Sequence, residues 1–206
     1  MIVLLLVKIM NNNKKYFEIK KNNEPNKLLK EFFLLNPDIS ENKNAIDLGC
    51  GSGRDTIALL KKGYNVLSID KDSVESTITK NIPEKEIKRF KFIKGNFEEL
   101  IFPSTDLFVS NFALSFCSFK NFDILWNKIV NSINIDGFIV GNIFGINDEW
   151  NDSKHNMTFL NRIQVLEKLS SFQIIKFFEK EFDGITTLGK QKHWHIFYFI
   201  AKKVAK

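Results

Sequence analysis

The stretch Ala45 to Asp70, AIDLGCGSGRDTIALLKKGYNVLSID, decides the fold of this 206-residue chain. It begins with a short apolar run that ends in an acid and a glycine cluster, as a buried parallel strand does when it opens into a ligand crevice. Arg54 to Lys62 then repeats its apolar residues at helical spacing and stops at Gly63, a natural C-terminal cap. Asn65 to Asp70 follows as a second strand, again closed by an acid. The stretch therefore predicts a strand, a ligand-binding glycine turn, a helix and a second strand.

The spacing of the glycines indicates which ligand this turn holds. Asp47 precedes Gly49, Gly51 and Gly53 in the pattern Asp-x-Gly-x-Gly-x-Gly. A dinucleotide fingerprint requires G-x-G-x-x-G, and Arg54 stands where its third glycine would be. A nicotinamide oxidoreductase with degenerate spacing stays an alternative, which this mismatch and the acid ahead of the turn disfavour.

These residues resemble the first motif of the class I S-adenosylmethionine-dependent methyltransferases, (D/E)-x-G-x-G-x-G, in which a second acid, here Asp70, ends the next strand. The resemblance covers about residues 25–203. It implies a doubly wound, Rossmann-like α/β fold with a seven-stranded, mostly parallel sheet and a C-terminal antiparallel hairpin. It also implies S-adenosylmethionine as the cofactor. Within the family, the compact length and the run Lys-His-Trp-His at 192–195 resemble the small bacterial tellurite-resistance-type methyltransferases.

The resemblance assigns roles to the residues at this corner. The glycines let the methionyl part of the cofactor lie against the backbone, Asp47 brings negative charge toward its cationic end, and Asp70 accepts from the ribose hydroxyls. Asn96 stands where the family commonly has an aspartate that accepts from the adenine amino group, and its amide oxygen can do the same. The predicted cofactor-binding residues are Asp47, Gly49, Gly51, Gly53, Asp70, Asn96, Phe97 and Asn111.

The loop from Asn111 to Cys117 follows the fourth predicted strand, where the methyl acceptor meets the cofactor in this family. Methyltransferases that act on nitrogens of nucleic acid or protein carry N-P-P-[YFW] or a close variant here. This chain keeps only the asparagine, which disfavours methylation of RNA, DNA or glutamine. The predicted substrate residues are the aromatic side chains Tyr16, Phe112, Phe116 and Trp150. They indicate a small, partly apolar acceptor. The methyltransferase resemblance leaves a thiol, an oxygen or a chalcogen oxyanion open as the group that is methylated.

The histidines are the candidates for a general base, which methyl transfer needs only when the acceptor arrives protonated. His155 follows the fifth predicted strand, in the same loop as Trp150. His193 and His195 alternate on one face of the last strand, and Trp194 points the other way. We predict His155 and His193 as catalytic residues, with surface or rim histidines as the alternative. No third ligand at suitable spacing accompanies the histidine pair, so we expect no metal site.

The composition limits the class of partner. The formal net charge is +6, but almost all the basic residues are scattered lysines, and a solvated lysine surface explains them better than a nucleic-acid footprint. The two cysteines form no spaced metal or redox motif, which suits a reducing cytosol. The apolar start of the chain is far shorter than the ~20 residues of a membrane helix and lacks the features of a signal peptide. We therefore predict a cytoplasmic monomer or homodimer that acts on a small molecule, away from membranes.

We predict that the chain divides into an N-terminal extension, residues 1–23, and a single domain, residues 24–206. In the family, the segment before the first helix often folds over the cofactor as a lid. Predicted elements of the domain include a helix at 24–36, a short helix capped by Asp72 or Ser73, a helix at 121–133, a fifth strand at 138–144, a helix capped by Asn161, and hairpin strands at 174–182 and 194–201. Other functions left open are a non-catalytic S-adenosylmethionine-binding module and an RNA or protein methyltransferase.

Overall fold

The computed structural model describes residues 24–37, 42–152 and 154–205. The predicted N-terminal extension, including Tyr16, lies outside the described residues. The sheet is seven-stranded with the order β3-β2-β1-β4-β5-β7-β6. Its strands are β1 (Asn44–Leu48), β2 (Asn65–Asp70), β3 (Phe90–Lys94), β4 (Thr105–Ser110), β5 (Ile133–Phe144), β6 (Phe172–Ile185) and β7 (Gln191–Lys203).

The first five strands run parallel, and β7 is antiparallel to both of its neighbours, β5 and β6. The predicted doubly wound sheet with a C-terminal antiparallel hairpin is confirmed. The helices are α1 (Lys27–Leu35), α2 (Arg54–Lys61), α3 (Glu75–Thr79), α4 (Phe119–Ser132) and α5 (Arg162–Lys168). In the described part of the chain, every helix is too short or too polar to span a membrane.

Successive strand residues point to opposite faces of the sheet, so apolar side chains lie on both faces and helices cover each of them. In β4, Leu107 and Val109 belong to one core cluster and Phe108 to the other. Helices α1, α2 and α3 contribute Leu29, Leu59 and Ile78 to the first cluster, and α4 and α5 contribute Leu125 and Val165 to the second. Because β1, β2, β4 and β5 run parallel, their carboxyl ends lie at the same edge of the sheet.

The boundary between α4 and β5 differs from the prediction. We expected Asp136 and Gly137 to separate the helix from a strand that begins at Phe138, but β5 begins at Ile133, directly after α4. Asp136 takes a φ of 65°, and the pairing of β4 with β5 shifts register at Thr105. The turn residues thus form an irregularity inside the strand, as in a β-bulge, instead of ending the sheet.

The start of the short helix α3 also differs from the prediction. The sequence places its cap at Asp72 or Ser73, whereas the helix begins at Glu75 with Val74 at the N-cap position. Val74 is 3% exposed and packs in the core, so burial of this apolar side chain sets where the helix starts. The predicted cap at Asn161 is confirmed, since Asn161 and Gln164 form a capping box at the start of α5.

The C-terminal hairpin is longer than the predicted strands and reaches past the rest of the sheet. β5 ends at Phe144, which pairs with Ile196 of β7. Residues 191–195 of β7 continue to pair with β6 beyond that point. The first residues of β7 therefore project beyond the carboxyl end of β5, at the edge where the glycine turn also lies.

Candidate active site

The glycine turn lies between β1 and α2 in the predicted conformation. Gly49, Gly51 and Gly53 have φ angles of 74°, 53° and 79°, a region that side chains with a Cβ rarely adopt. A Cβ built on Gly49 would lie 2.2 Å from the Cβ of Ala113, in the loop after β4. Only a glycine allows this loop to come so close to the turn.

The Asp70 carboxylate faces the turn from the end of β2. One of its oxygens accepts a hydrogen bond from the Gly51 amide at 2.9 Å, and the other accepts from the Asp72 amide at 3.0 Å. Burial raises the pKa of Asp70, and the two amide donors oppose that shift. The acid that the sequence paired with the glycine motif therefore lies at the same corner.

Asp47 is buried beneath the turn, with 3% of its surface exposed. Its carboxylate accepts from the Thr56 hydroxyl at 2.6 Å, and that hydroxyl is 2.7 Å from the Ser68 hydroxyl. Burial, with the nearby charge of Asp55, raises the pKa of Asp47 to about 7. Asp47 can therefore change its protonation state near neutral pH.

Two charged residues at this corner were missed by the sequence reasoning. Arg54 and Asp55 line the cleft beside the glycine turn, together with Asp47 and Asn111. One Asp55 oxygen accepts from the Asn26 amide at 2.7 Å, and the other accepts from the Asn111 side-chain amide at 2.8 Å. The available signal was their place directly after the third glycine, because the first turn of a helix that follows such a loop faces the ligand.

Asn96 and Phe97 follow β3, the strand next to β2. The Gly95 amide donates to the Asp70 carbonyl at 3.0 Å, which holds this loop to the end of β2. The Phe97 ring reaches within 3.5 Å of the position that a Cβ on Gly49 would take. Asn96 is exposed, with its side-chain amide 3.4 Å from Glu99. The structure thus brings Phe97 to the turn, and the predicted adenine contacts stay a prediction.

Four aromatic side chains form a surface beside this corner, which we call the aromatic platform: Phe112, Phe116, Trp150 and Trp194. Ring centroids are 6.2 Å apart for Phe112 and Trp194, 6.2 Å for Phe116 and Trp150, and 5.7 Å for the two tryptophans. All four rings pack around the buried Phe144. Three predicted substrate residues are therefore neighbours, although they come from two separate loops.

Trp194 and Phe144 were missed as members of this cluster. The alternation of β7 indicated that Trp194 faces away from the neighbouring histidines, and this is confirmed. The ring contacts of Trp194 with Phe112 and Trp150 could not be inferred, because no sequence pattern indicates how far the hairpin extends beyond the end of β5.

A chain of side-chain amides links the cleft beside the glycine turn to the platform. The Asn142 side-chain amide donates to Asn111 Oδ1 at 3.3 Å, and Asn142 Oδ1 accepts from the Phe112 backbone amide at 2.9 Å. Phe112 has a φ of 57°, in the left-handed region that non-glycine residues rarely occupy. Asn142, which is buried on β5, therefore helps to hold Phe112 in an unusual conformation.

Lys192 lies beneath the platform in a buried ion pair. Its ammonium is 2.5 Å from the Asp148 carboxylate, and both side chains are at most 1% exposed. The same ammonium lies 3.7 Å from the ring centroid of Trp194 and 4.3 Å from that of Trp150. Burial lowers the pKa of Lys192, and the Asp148 carboxylate opposes that shift. This pair anchors the loop after β5 to the first residues of β7.

The two predicted catalytic histidines have different surroundings. The His155 ring stacks on Trp150 at 6.1 Å and 28°, and its Nδ1 is 2.8 Å from Asp152. The His193 ring lies between Asp183, 2.7 Å from Nδ1, and Glu181, 3.2 Å from Nε2. These carboxylates raise the pKa of His193. The structure brings His155 to the platform, and places His193 on the opposite face of β7 from Trp194.

Among the described residues, no three His, Cys, Asp or Glu side chains are arranged to hold a metal ion. His195 instead pairs through Nε2 with Glu179 at 2.8 Å, and its Nδ1 accepts from the Asn147 amide.

Comparisons with known proteins agree with this geometry. Residues 45–137 match a family model described as a methyltransferase domain. A curated relative from Methanosphaera stadtmanae, described as probable ribosomal RNA small subunit methyltransferase A, is 31% identical over 103 residues. That match covers 50% of this chain and 37% of the relative, so the chain spans less than half the length of the curated relative it matches.

Solved structures of similar fold include TehB from Haemophilus influenzae, with a TM-score of 0.69 and 16% identity over 85% of this chain and 61% of that one. A 1,6-didemethyltoxoflavin-N1-methyltransferase from Burkholderia thailandensis, solved with bound 1,6-didemethyltoxoflavin and S-adenosylhomocysteine, has a TM-score of 0.62 and 16% identity over 86% of this chain and 77% of that one. At these identities the likeness concerns the fold.

Proposed function

We propose that this chain is a class I S-adenosylmethionine-dependent methyltransferase, which transfers a methyl group from S-adenosylmethionine to a small-molecule acceptor held on the aromatic platform. The observation that carries the proposal is the Asp70 carboxylate, which accepts a hydrogen bond from the Gly51 amide of the glycine turn at the end of β2. The matched methyltransferase domain supports it, since residues 45–137 include this corner.

The residues at the corner suit the charges of S-adenosylmethionine. Asp47, Asp55 and Asp70 surround the turn, and a ligand with a sulfonium and an ammonium compensates their negative charge. A carboxylate has about four lone-pair sites, so Asp70 can accept from the ribose hydroxyls in addition to the two backbone amides. Arg54, at the start of α2, can pair with the carboxylate of the methionyl part.

Bound S-adenosylmethionine supplies an activated methyl group, whose carbon–sulfur bond electrons stay on sulfur in the S-adenosylhomocysteine product. The chain's own contribution is to place the acceptor, and positioning of this kind can supply roughly 7 to 11 kcal/mol. Two pairs of rings orient the acceptor: Phe112 with Trp194 at one side, and Phe116 with Trp150 at the other. His155 takes a proton from the acceptor at Nε2, since Asp152 engages its Nδ1.

His193 is the second proposed base, and its surroundings favour it less. Both of its ring nitrogens contact carboxylates, and its strand neighbour Trp194 takes the position toward the platform. A charge-paired histidine at the rim can stabilise the hairpin without contacting the acceptor. Turnover after His155→Gln and after His193→Gln therefore separates the two candidates, with the larger loss expected at His155.

Cofactor binding is tested by calorimetric titration with S-adenosylhomocysteine. Asp70→Asn replaces a charged acceptor by a neutral one while keeping an oxygen for a backbone amide, and we expect affinity to fall at least about tenfold. Asp106→Asn is the matched control, because Asp106 accepts from Asn44 and Asn134 at the opposite end of the strands. Equal affinities of the wild type and Asp70→Asn would overturn the assignment, and preferential binding of NAD would favour an oxidoreductase.

RNA methylation is the second candidate function, because the curated relative is described as a ribosomal RNA methyltransferase. Release of S-adenosylhomocysteine with small-subunit ribosomal RNA, compared with a panel of small acceptors, distinguishes the two functions. Binding of S-adenosylhomocysteine without turnover on either kind of acceptor would favour a non-catalytic module.

A further inference from the structure

We propose that the acceptor is a flat, uncharged aromatic molecule that presents a hydroxyl or a thiol, and that the site disfavours amines and oxyanions. This inference rests on the proposed function and names the substrate class of the same site. It narrows the chemistry that the sequence left open, because the thiol, oxygen and oxyanion acceptors place different demands on the charges beside the platform.

The shape of the platform favours a flat ligand. Phe116 is 52% exposed although it is a large apolar ring, and Phe112, Trp150 and Trp194 are half-buried. Neighbouring rings meet at angles of 56° to 80°, so that faces and edges of several rings line one surface. Aromatic pairs prefer such tilted or offset arrangements, and a planar ligand can add one more ring to the set. Exposed apolar rings grouped in this way typically mark a binding site.

The charge balance beneath the platform disfavours an anionic acceptor. The Lys192 ammonium lies against the rings of Phe144, Trp150 and Trp194, but both oxygens of Asp148 contact it, at 2.5 and 2.6 Å. An oxyanion would have to compete with this buried carboxylate for the same ammonium. Separating a buried ion pair leaves an uncompensated charge in the protein interior, which is strongly unfavourable. The platform therefore offers an uncharged ligand a better environment than an anion.

The side-chain amides beside the platform disfavour an amine. An amino acceptor needs hydrogen-bond acceptors that orient its N–H groups. Here Asn111 Oδ1 already accepts from Asn142, and Asn111 Nδ2 donates to Asp55. Asn142 Oδ1 accepts from the Phe112 amide. Each of these two amide oxygens already accepts one hydrogen bond within the protein, which leaves fewer acceptor positions for the N–H groups of an amine.

A neutral hydroxyl or thiol must lose its proton as the methyl bond forms, and the rim of the platform holds a base for it. His155 stacks on Trp150, and Asp152 engages Nδ1 at 2.8 Å, which leaves the proton-accepting role to Nε2. The contact with His155 also lowers the pKa of Asp152, so that this carboxylate stays ionised and orients the ring. The acceptor's proton passes to Nε2, and its oxygen or sulfur lone pair bonds to the methyl carbon as the carbon–sulfur bond of S-adenosylmethionine breaks and leaves its electrons on sulfur.

Three probes with the same bicyclic ring test this inference: 2-naphthol, 2-naphthylamine and 2-naphthoate. Binding is measured by the change in tryptophan fluorescence with S-adenosylhomocysteine present, and turnover by release of S-adenosylhomocysteine from S-adenosylmethionine. We expect 2-naphthol to bind at least about tenfold more tightly than 2-naphthoate, and to be methylated faster than 2-naphthylamine. Tighter binding of 2-naphthoate, faster methylation of 2-naphthylamine, or equal behaviour of all three probes would overturn the inference.

Matched variants locate the probe on the platform. Phe116→Ala should weaken 2-naphthol binding at least about fivefold without changing the affinity for S-adenosylhomocysteine. Phe119→Ala is the control, since Phe119 is also exposed, at 62%, but lies outside the platform. His155→Gln should keep 2-naphthol binding and slow its methylation. An unchanged affinity in Phe116→Ala would overturn the location, and unchanged methylation in His155→Gln would overturn the base.

The failure of this inference differs from the failure of the proposed function. If S-adenosylhomocysteine does not bind the wild-type protein, the methyltransferase proposal itself fails. If S-adenosylhomocysteine binds but the naphthol preference is absent, the cofactor site stands and only the acceptor class is wrong.

Discussion

Asp47 should make cofactor affinity depend on pH near neutrality. Its carboxylate is buried beneath the glycine turn, and burial with the charge of Asp55 raises its pKa to about 7. The raised pKa means that Asp47 carries a proton below pH 7, and a protonated acid attracts the cationic cofactor less than a carboxylate does. Affinity for S-adenosylmethionine should therefore increase as pH rises toward and through 7.

The size of the effect follows from the fraction of Asp47 that is ionised. With a pKa of about 7, roughly one tenth of Asp47 is ionised at pH 6 and about half at pH 7. If the cofactor binds only the ionised form, its affinity rises about fivefold between these pH values and levels off above pH 8. Partial binding to the protonated form would reduce this ratio, so fivefold is the upper value over this interval.

Calorimetric titration with S-adenosylmethionine between pH 5.5 and 8 measures this dependence. Asp47→Asn is the matched variant, because an amide has nearly the same shape and its oxygen can still accept from the Thr56 hydroxyl. The ratio of the two affinities at each pH removes the titration of the ligand's own amino group. Identical pH profiles for the wild type and Asp47→Asn would refute the assignment of this titration to Asp47.

Two further substitutions test the packing of the site, by chemical denaturation. Gly49→Ala should cost about 2 to 5 kcal/mol, because its Cβ would meet Ala113 at 2.2 Å and its φ is left-handed, whereas Gly189→Ala has a similar φ with open space around it and should cost only about 1 to 2 kcal/mol; equal costs would contradict the close approach. Lys192→Met should cost about 3 to 5 kcal/mol because Asp148 stays buried without its cation. Adding Asp148→Asn, which removes the charge and keeps an oxygen for the Trp150 amide, should recover part of the loss; a neutral Lys192→Met variant would contradict the buried pair.

The predictions that succeeded rest on short-range patterns. The prediction that Asp70 lies beside the glycines after Asp47 required only that two neighbouring parallel strands end at the same edge of the sheet. The capping residue Asn161 and the alternation around Trp194 also act over a few residues. In each case the backbone preference is local, so a single sequence reveals it.

The predicted boundaries that were wrong depended on longer-range packing. Asp136 and Gly137 are residues typical of a turn between two elements, yet the pairing of β5 with β4 keeps them in the strand. Val74 starts α3 because its side chain is buried, although Asp72 and Ser73 are better capping residues in isolation. In both places tertiary contacts outweigh the local propensity.

The sequence by itself determined the class of fold and the corner at which we propose that the cofactor binds. Only the tertiary structure decided that Phe112, Trp150 and Trp194 share one surface, and that Asp148 neutralises Lys192 beneath it. These side chains come from segments that are separated by tens of residues. Their meeting depends on how far the hairpin projects beyond β5, a distance set by the register of the whole sheet and by no local pattern.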